Sequence, residues 1–448
     1  MEIESRTIAQ VSRRLVPFLI VCYFIAYLDR VNVGFAALTM NKDLGLSATA
    51  YGIGAGIFFI AYFFFEVPSN LFLERFGARR WIARIMFSWG LLSGLMAFIP
   101  HIAGLTGLGT TTVFYTIRIL LGAAEAGFFP GIIFYLTLWF PSLYRARVIG
   151  WFMAAIPLSS AIGSPISGLL LSGFDGVLGL TGWQWLFIVE AAPSLVLAFV
   201  VLAYLTDRPA DAEWLPLEGQ RWLVARLEGE ARLREAAKSY TVLEALGDTR
   251  VLLLGFVYFG FVACNYGFSF FLPQIVAAFG VTTLQNGFIT AIPYIIGAIA
   301  MVYWSRKSDR KAERREHVAI AGLVAGLGVC ASVLIVDPYW KVLALTVGGI
   351  GIYASLPTFW TLPTAFLTGP AAAGGIAIIN SIGNLSGFVG PYVVGKIKDD
   401  TGSFTVGLVV IGSLSILATL VALSLRHDAE LEQAVEVPDD LRLRRAAE

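Results

Sequence analysis

The chain has 448 residues, 57% of them hydrophobic and only 14% charged, with a mean hydropathy of +0.75. Soluble globular proteins carry about a quarter of their residues as charges, so the composition excludes that class. The net charge of +1 carries no information, but the distribution of the charges does.

Twelve apolar stretches follow one another, at about 15–37, 51–73, 81–99, 112–139, 148–171, 185–205, 251–279, 284–304, 318–336, 341–366, 374–397 and 405–425. Each approaches or exceeds the roughly 20 residues needed to span a bilayer as a helix. Lipid admits only helices or closed barrels, and runs this long without alternation predict an all-α membrane protein. The first run continues past signal-peptide length without a small-residue cleavage site, so it is expected to be retained. With the N-terminus inside, 26 of the 32 Lys and Arg residues fall in cytoplasmic segments, counting Arg84 in the first turn of span three. Only Lys42, Lys341, Lys396 and Lys398 fall outside, and Arg30 and Arg118 lie within spans. The positive-inside rule therefore predicts both termini in the cytoplasm.

Taken in chain order, span one carries Asp29 and Arg30, with Tyr23 and Tyr27 at helical spacing from Arg30. A charge near the bilayer centre costs about 2.5–3.5 kcal/mol on insertion scales, so these groups must face protein or a water-filled cavity. Asp29 and Arg30 point about 100° apart on a helix and cannot share one face. Span two carries Tyr62 and Glu66. After it come Asn70, Glu74, Arg75, Gly77, Arg79 and Arg80. Span four carries Tyr115, Arg118 and Glu125; the last two are seven residues apart and share a face. They read either as an anion-site cation with a proton carrier or as a structural ion pair. Span five contains Gly163, Ser164, Pro165 and Gly168, and span six contains Glu190. Glu66 and Glu190 read as gate or helix-packing acids.

The segment 206–250 is the longest break, and a charged amphipathic helix is expected from Pro216 to Ala237. Asn265, Tyr266 and Phe270 follow on span seven. Ser305, Asp309 and Arg310 follow span eight, Trp360 lies on span ten, and Asn380, Asn384, Pro391 and Gly395 on span eleven. The punctuation after span two recurs after span eight at an offset of 235 residues, and Pro165 and Pro391 are 226 apart. Two six-span repeats are the simplest reading, and a substrate site between such repeats is a known transporter plan. The asparagine amides could hold substrate oxygens or link helices. Cys22, Cys264 and Cys330 show no pairing framework, and no HExxH, CxxC or GxxxxGK[ST] occurs. An ATP-driven pump or a metalloenzyme would lack its required parts.

The segments LDRVNVGFA, FFFEVPSNLFLERFGARRW, RILLGAAEAGFFPG, GWQWLFIVEAAPS and NSIGNLSGFVGPYVVG occur in the order shared by one group of carriers. The chain resembles the major facilitator superfamily over its whole length and, within it, the anion:cation symporters of tartrate, phthalate and hexonates. In the gating motif, Glu74 stands where Asp is usual and Asn70 where Gly is usual. The resemblance implies twelve transmembrane helices in two pseudo-symmetric six-helix bundles, at 1–205 and 251–425, with a linker at 206–250 and a tail at 426–448. It implies proton coupling at Asp29 and Glu125. Substrate contacts are expected among Arg30, Tyr62, Arg118, Asn265, Tyr266, Trp360, Asn380 and Asn384, and a gate at Glu74, Arg75, Arg79, Arg80, Asp309 and Arg310.

The expected activity is proton-coupled import of a small carboxylate across a bacterial inner membrane, by a monomer with no cofactor, no metal and no nucleic-acid partner. Tyr62, Tyr266, Phe270 and Trp360 would suit an aromatic acid, and the asparagines a hydroxy acid such as tartrate. An exporter and a transporter-like sensor are the rival readings.

Overall fold

The computed structural model describes residues 2–235, 247–311, 314–360, 362–363 and 371–425. Residues 236–246 of the linker and the tail at 426–448 lie outside them. The architecture is all-helical. In the first half run α1 (Glu2–Leu44), α2 (Ala48–Phe76), α3 (Ala78–Leu95), α4 (Ile99–Thr106), α5 (Thr110–Glu125), α6 (Phe128–Trp139), α7 (Ser142–Met153), α8 (Ala155–Gly173) and α9 (Gly182–Tyr204). Then come α10 (Leu217–Glu235), α11 (Thr249–Ala277), α12 (Thr283–Lys311), α13 (Arg314–Ser332), α14 (Pro338–Phe359), α15 (Ala371–Thr401) and α16 (Thr405–Ser424).

Among the described residues, ten helical segments are long and apolar enough to cross a membrane. The spans expected at 318–336 and 374–397 are largely helical too, within α13 and α15. They are not among the ten: α13 opens on Arg314, Arg315 and Glu316, and α15 is rich in Gly, Ser and Asn.

Span four departs from the continuous helix expected. It breaks at Gly127, whose φ of +85° is left-handed and whose missing Cβ leaves room for the Ser69 hydroxyl, 2.3 Å from where that carbon would lie. Such a φ is readily adopted by glycine and resisted by most other residues. Glu125 is consequently the last residue of α5, beside the interruption.

The two halves meet chiefly along two pairs of helices, α2 against α15 and α8 against α12, with α1 also touching α11. Both seams run backbone to backbone over glycine. A Cβ at Gly395 would lie 2.2 Å from the Ala48 carbonyl oxygen at the start of α2. One at Gly168 would lie 2.7 Å from the Thr283 carbonyl oxygen at the start of α12. Small residues permit this approach between membrane helices, where van der Waals packing supplies much of the association energy. The linker helix α10 folds back on the first half, with Gly219 against Thr7 and Arg145 3.8 Å from Glu230.

Candidate functional site

A cavity of about 690 Å³, its open mouth included, lies between the halves. Arg30 lines it from α1, Tyr62 from α2, Asn265 and Tyr266 from α11, Trp360 from the end of α14, and Asn380 and Asn384 from α15. All seven were singled out by sequence. Helical spacing brings Tyr23, Tyr27 and Arg30 onto one wall, as the i, i+4, i+7 pattern requires.

Arg30 is buried and reaches three ways. Its guanidinium pairs with the Glu125 carboxylate and donates to the Tyr266 hydroxyl of the other half at 3.3 Å. Its Cζ also lies 5.4 Å from the ring of Phe58 and 5.5 Å from that of Tyr62, within cation–π range. The cavity thus holds a cation whose counter-charge comes from a neighbouring helix.

Asp29 turns away, as adjacency on a helix demands, into a separate network. Its carboxylate accepts from Trp89 Nε1 at 2.7 Å, Ser194 Oγ at 2.7 Å and Ser93 Oγ at 2.9 Å. It is 2% exposed and does not line the cavity. The donors on α3 and α9 escaped the sequence reading. The available signal was Trp89 itself, because a buried indole N–H needs an acceptor.

Arg118 is also absent from the cavity wall. The same-face argument that placed it with Glu125 loses to packing, since Glu125 pairs with Arg30. Arg118 instead donates from Nε to the Gly54 carbonyl and from a terminal nitrogen to the Ala55 carbonyl, both at 2.9 Å. It fastens α5 to α2. Phe270 likewise lies behind the wall, stacked on Tyr266 with centroids 5.7 Å apart.

Two further acids bind polar partners. Glu66 accepts from Asn380 Nδ2 at 3.2 Å, across the halves. Glu190 accepts from Ser167 at 2.7 Å within the first half.

At one end of the molecule the halves are also joined by hydrogen bonds. The Asp399 carboxylate of α15 accepts from the backbone N–H of Ala48 at 3.0 Å and of Thr49 at 2.7 Å, at the start of α2. Beneath this, a Cβ at Gly52 would lie 2.4 Å from the Pro391 carbonyl oxygen. At the other end, Glu74, Arg75, Arg79 and Arg80 sit around Gly77, whose φ is +87°. The contact there is local: the Arg79 backbone N–H donates to Asp207 at 2.8 Å. The side chains of Asp309 and Arg310, the other half of the expected gate, lie outside those described.

A sequence model of the Major Facilitator Superfamily matches residues 19–391. A protein of Agrobacterium vitis named "Putative tartrate transporter" is 52% identical over 96% of this chain and 93% of its own length. A "Quinolone resistance transporter" of Acinetobacter baumannii is 42% identical over 91% and 92%. "Inner membrane transport protein RhmT" of Escherichia coli is 37% identical over 94% and 95%. Among solved structures, the inward open conformation of the xylose transporter XylE from E. coli superposes with a TM-score of 0.75 at 13% identity, over 94% of this chain and 99% of that one. The sequence matches and the shared fold agree, and the chain belongs to the major facilitator superfamily.

Proposed function

We propose that the protein is a carrier, not an enzyme, that imports a small organic carboxylate together with protons across a bacterial inner membrane, by alternating access. Residues 1–205 and 251–425 form its two six-helix units, α13 and α15 complete twelve crossings, and both termini face the cytoplasm. It works as a monomer, and its partners are the organic anion, protons and lipid.

One observation carries this reading: the Arg30 guanidinium stands in an interrepeat cavity, held by the Glu125 carboxylate and by a hydroxyl of the opposite half. Protonation of Glu125 removes the counter-charge and frees the guanidinium, whose planar fork suits a carboxylate. Substrate and proton then bind together because each satisfies what the other displaces. Tyr62, Asn265, Trp360 and Asn384 orient the substrate, and Asp29 is the second proton carrier. The conformation described is closed at the Asp399 end, which on the charge distribution is the outer face. The cytoplasmic charges around Gly77 engage when the opposite end closes.

The substrate class draws support from the Agrobacterium vitis relative named for tartrate and from the amide-bearing wall of α15. The relative named for quinolone resistance favours a second reading, export. Reconstituted uptake decides between them. An inward proton gradient should raise tartrate accumulation in proteoliposomes, and Glu125→Gln should abolish it. Gradient-driven accumulation that persists in Glu125→Gln removes that residue from coupling, and accumulation that instead needs a proton gradient directed out of the vesicle lumen identifies an exporter.

A further inference from the structure

Glu66 has no part in the cycle above, although its place in the structure ties it to the cavity. It lies one turn beyond Tyr62 on α2, 9% exposed. One carboxyl oxygen accepts from Asn380 Nδ2 at 3.2 Å, and among the described residues no group lies within hydrogen-bonding geometry of the other. Asn384, one turn along α15, also stands beside it. Asn380 itself is only partly buried and faces the cavity.

An asparagine amide has a donor end and an acceptor end, and its neighbours decide which way it points. An ionised Glu66 only accepts, so in that state the end of Asn380 facing it is the NH₂ group. The carbonyl oxygen is then the end left for the cavity. Arg30, on the other wall, only donates. The cavity therefore pairs a donor-only cation with a fixed acceptor. A carboxylate satisfies the first, and a hydroxyl, which can donate, satisfies the second. A methylene group would leave that acceptor unpaired on binding.

Resting on the carboxylate reading, we propose that Glu66 is a positioning residue: it holds the Asn380 amide with its carbonyl oxygen toward the cavity and so makes the carrier prefer hydroxylated acids to their deoxygenated counterparts. A glutamine at 66 would break this constraint, because its own amide can donate to Asn380 and let that side chain turn over.

L-tartrate and succinate test the idea, since they share four carbons and two carboxylates and differ only in two hydroxyls. Titration calorimetry on the purified full-length protein should give tartrate an advantage of about tenfold or more, the scale set by leaving one acceptor unpaired. In Glu66→Gln that ratio should fall below about threefold, because the acceptor is no longer enforced. Removing the acceptor in Asn380→Leu should lower the ratio in the same way, and it carries the test should Glu66→Gln not fold. A ratio that stays near its starting value in either folded variant overturns the proposal, as does wild-type protein that binds both acids equally. Failure to bind any carboxylate in a wider screen overturns the carboxylate reading itself, whereas binding of deoxygenated acids in preference to hydroxylated ones overturns only the present proposal. The two failures are thereby distinguishable.

Discussion

Asp399 and Thr49, 350 residues apart, share a hydrogen bond of 2.7 Å from the Thr49 backbone N–H to the Asp399 carboxylate. With the adjacent bond to Ala48, the last turn of α15 caps the first turn of α2. A helix cap is ordinarily supplied by the residue just before the helix; Ser47 also fills that role here. The carboxylate from the opposite half makes the cap a fastening between repeats.

Asp399→Ala should weaken this closure. Loss of a cap costs about 0.5–2 kcal/mol, enough to shift a balanced equilibrium severalfold. Spin labels at the exposed Leu105 and Val336, read by double electron–electron resonance, should show a larger long-distance population in the variant. An unchanged distribution would show that the cap does not hold this end shut. Burial raises the Asp399 carboxyl, but hydrogen bonds from Thr49, Ser47 and Ala48 outweigh it and hold the group below the usual range. A lowered value means the contribution is fully present above the ordinary carboxylate range and lost only as pH falls through the lowered one. The fastening should therefore persist from pH 8 to about 5, about one unit above an ordinary aspartate.

Gly52→Val tests the seam beneath the cap. Its side chain would collide with the Pro391 backbone carbonyl, which has no flexible end to swing aside. Overpacking of this kind costs about 1–3 kcal/mol. Substrate counterflow in proteoliposomes should drop to a small fraction of the wild-type rate. Wild-type counterflow would mean that the seam opens and closes without close contact at Gly52.

Arg30 and Arg118 should part company on mutation. Arg30→Lys keeps the charge but not the planar fork, and substrate affinity should fall by about tenfold or more, some 1.4 kcal/mol. Arg118→Met removes two charge-assisted hydrogen bonds to α2, each worth about 1.5–3 kcal/mol, partly offset because a buried charge is removed. Its melting temperature should drop while substrate affinity stays within about threefold. Loss of binding in Arg118→Met would return that residue to the substrate site.

Asp29→Asn should destabilise the protein. The carboxylate is surrounded by donors from Trp89, Ser93 and Ser194, so an amide NH₂ would face donors. Leaving such groups unmatched costs about 1–3 kcal/mol each. Thermal unfolding in detergent should come at a clearly lower temperature than wild type. An equal melting temperature would indicate that the network can rearrange around the amide.

Helical spacing and hydropathy made much of this architecture legible. The Gly-Ser-Pro165 and Gly-Pro391 segments read as repeats, and both prove to lie in seams between the halves, with Gly168 and Gly395 at the contacts. The cavity wall was also readable, because a Tyr–Tyr–Arg stripe or an Asn pair one turn apart has one face. Partners across helices were not. Spacing along α5 could offer Glu125 only Arg118, whereas packing of α1 against the bundle supplied Arg30, 95 residues away. Asp399 carries no such signal, because nothing in local sequence reveals which helix terminus lies opposite. The break at Gly127 was similarly hidden inside an unbroken apolar run, where hydropathy is blind to the sign of φ.

The ion pair of Arg30 and Glu125 has one further consequence. With no cargo aboard, the two formal charges cancel within the protein, so the return stroke of the empty carrier moves no net charge at this pair. On the proposed cycle the cargo's carboxylate would replace Glu125 as the counter-ion, and the proton would travel on Glu125. On that cycle membrane voltage would act on the loaded carrier only through the cargo's further carboxylates and any additional protons carried on the inward stroke. Empty transit is electrically silent there, and its rate should be set by how easily the two halves part.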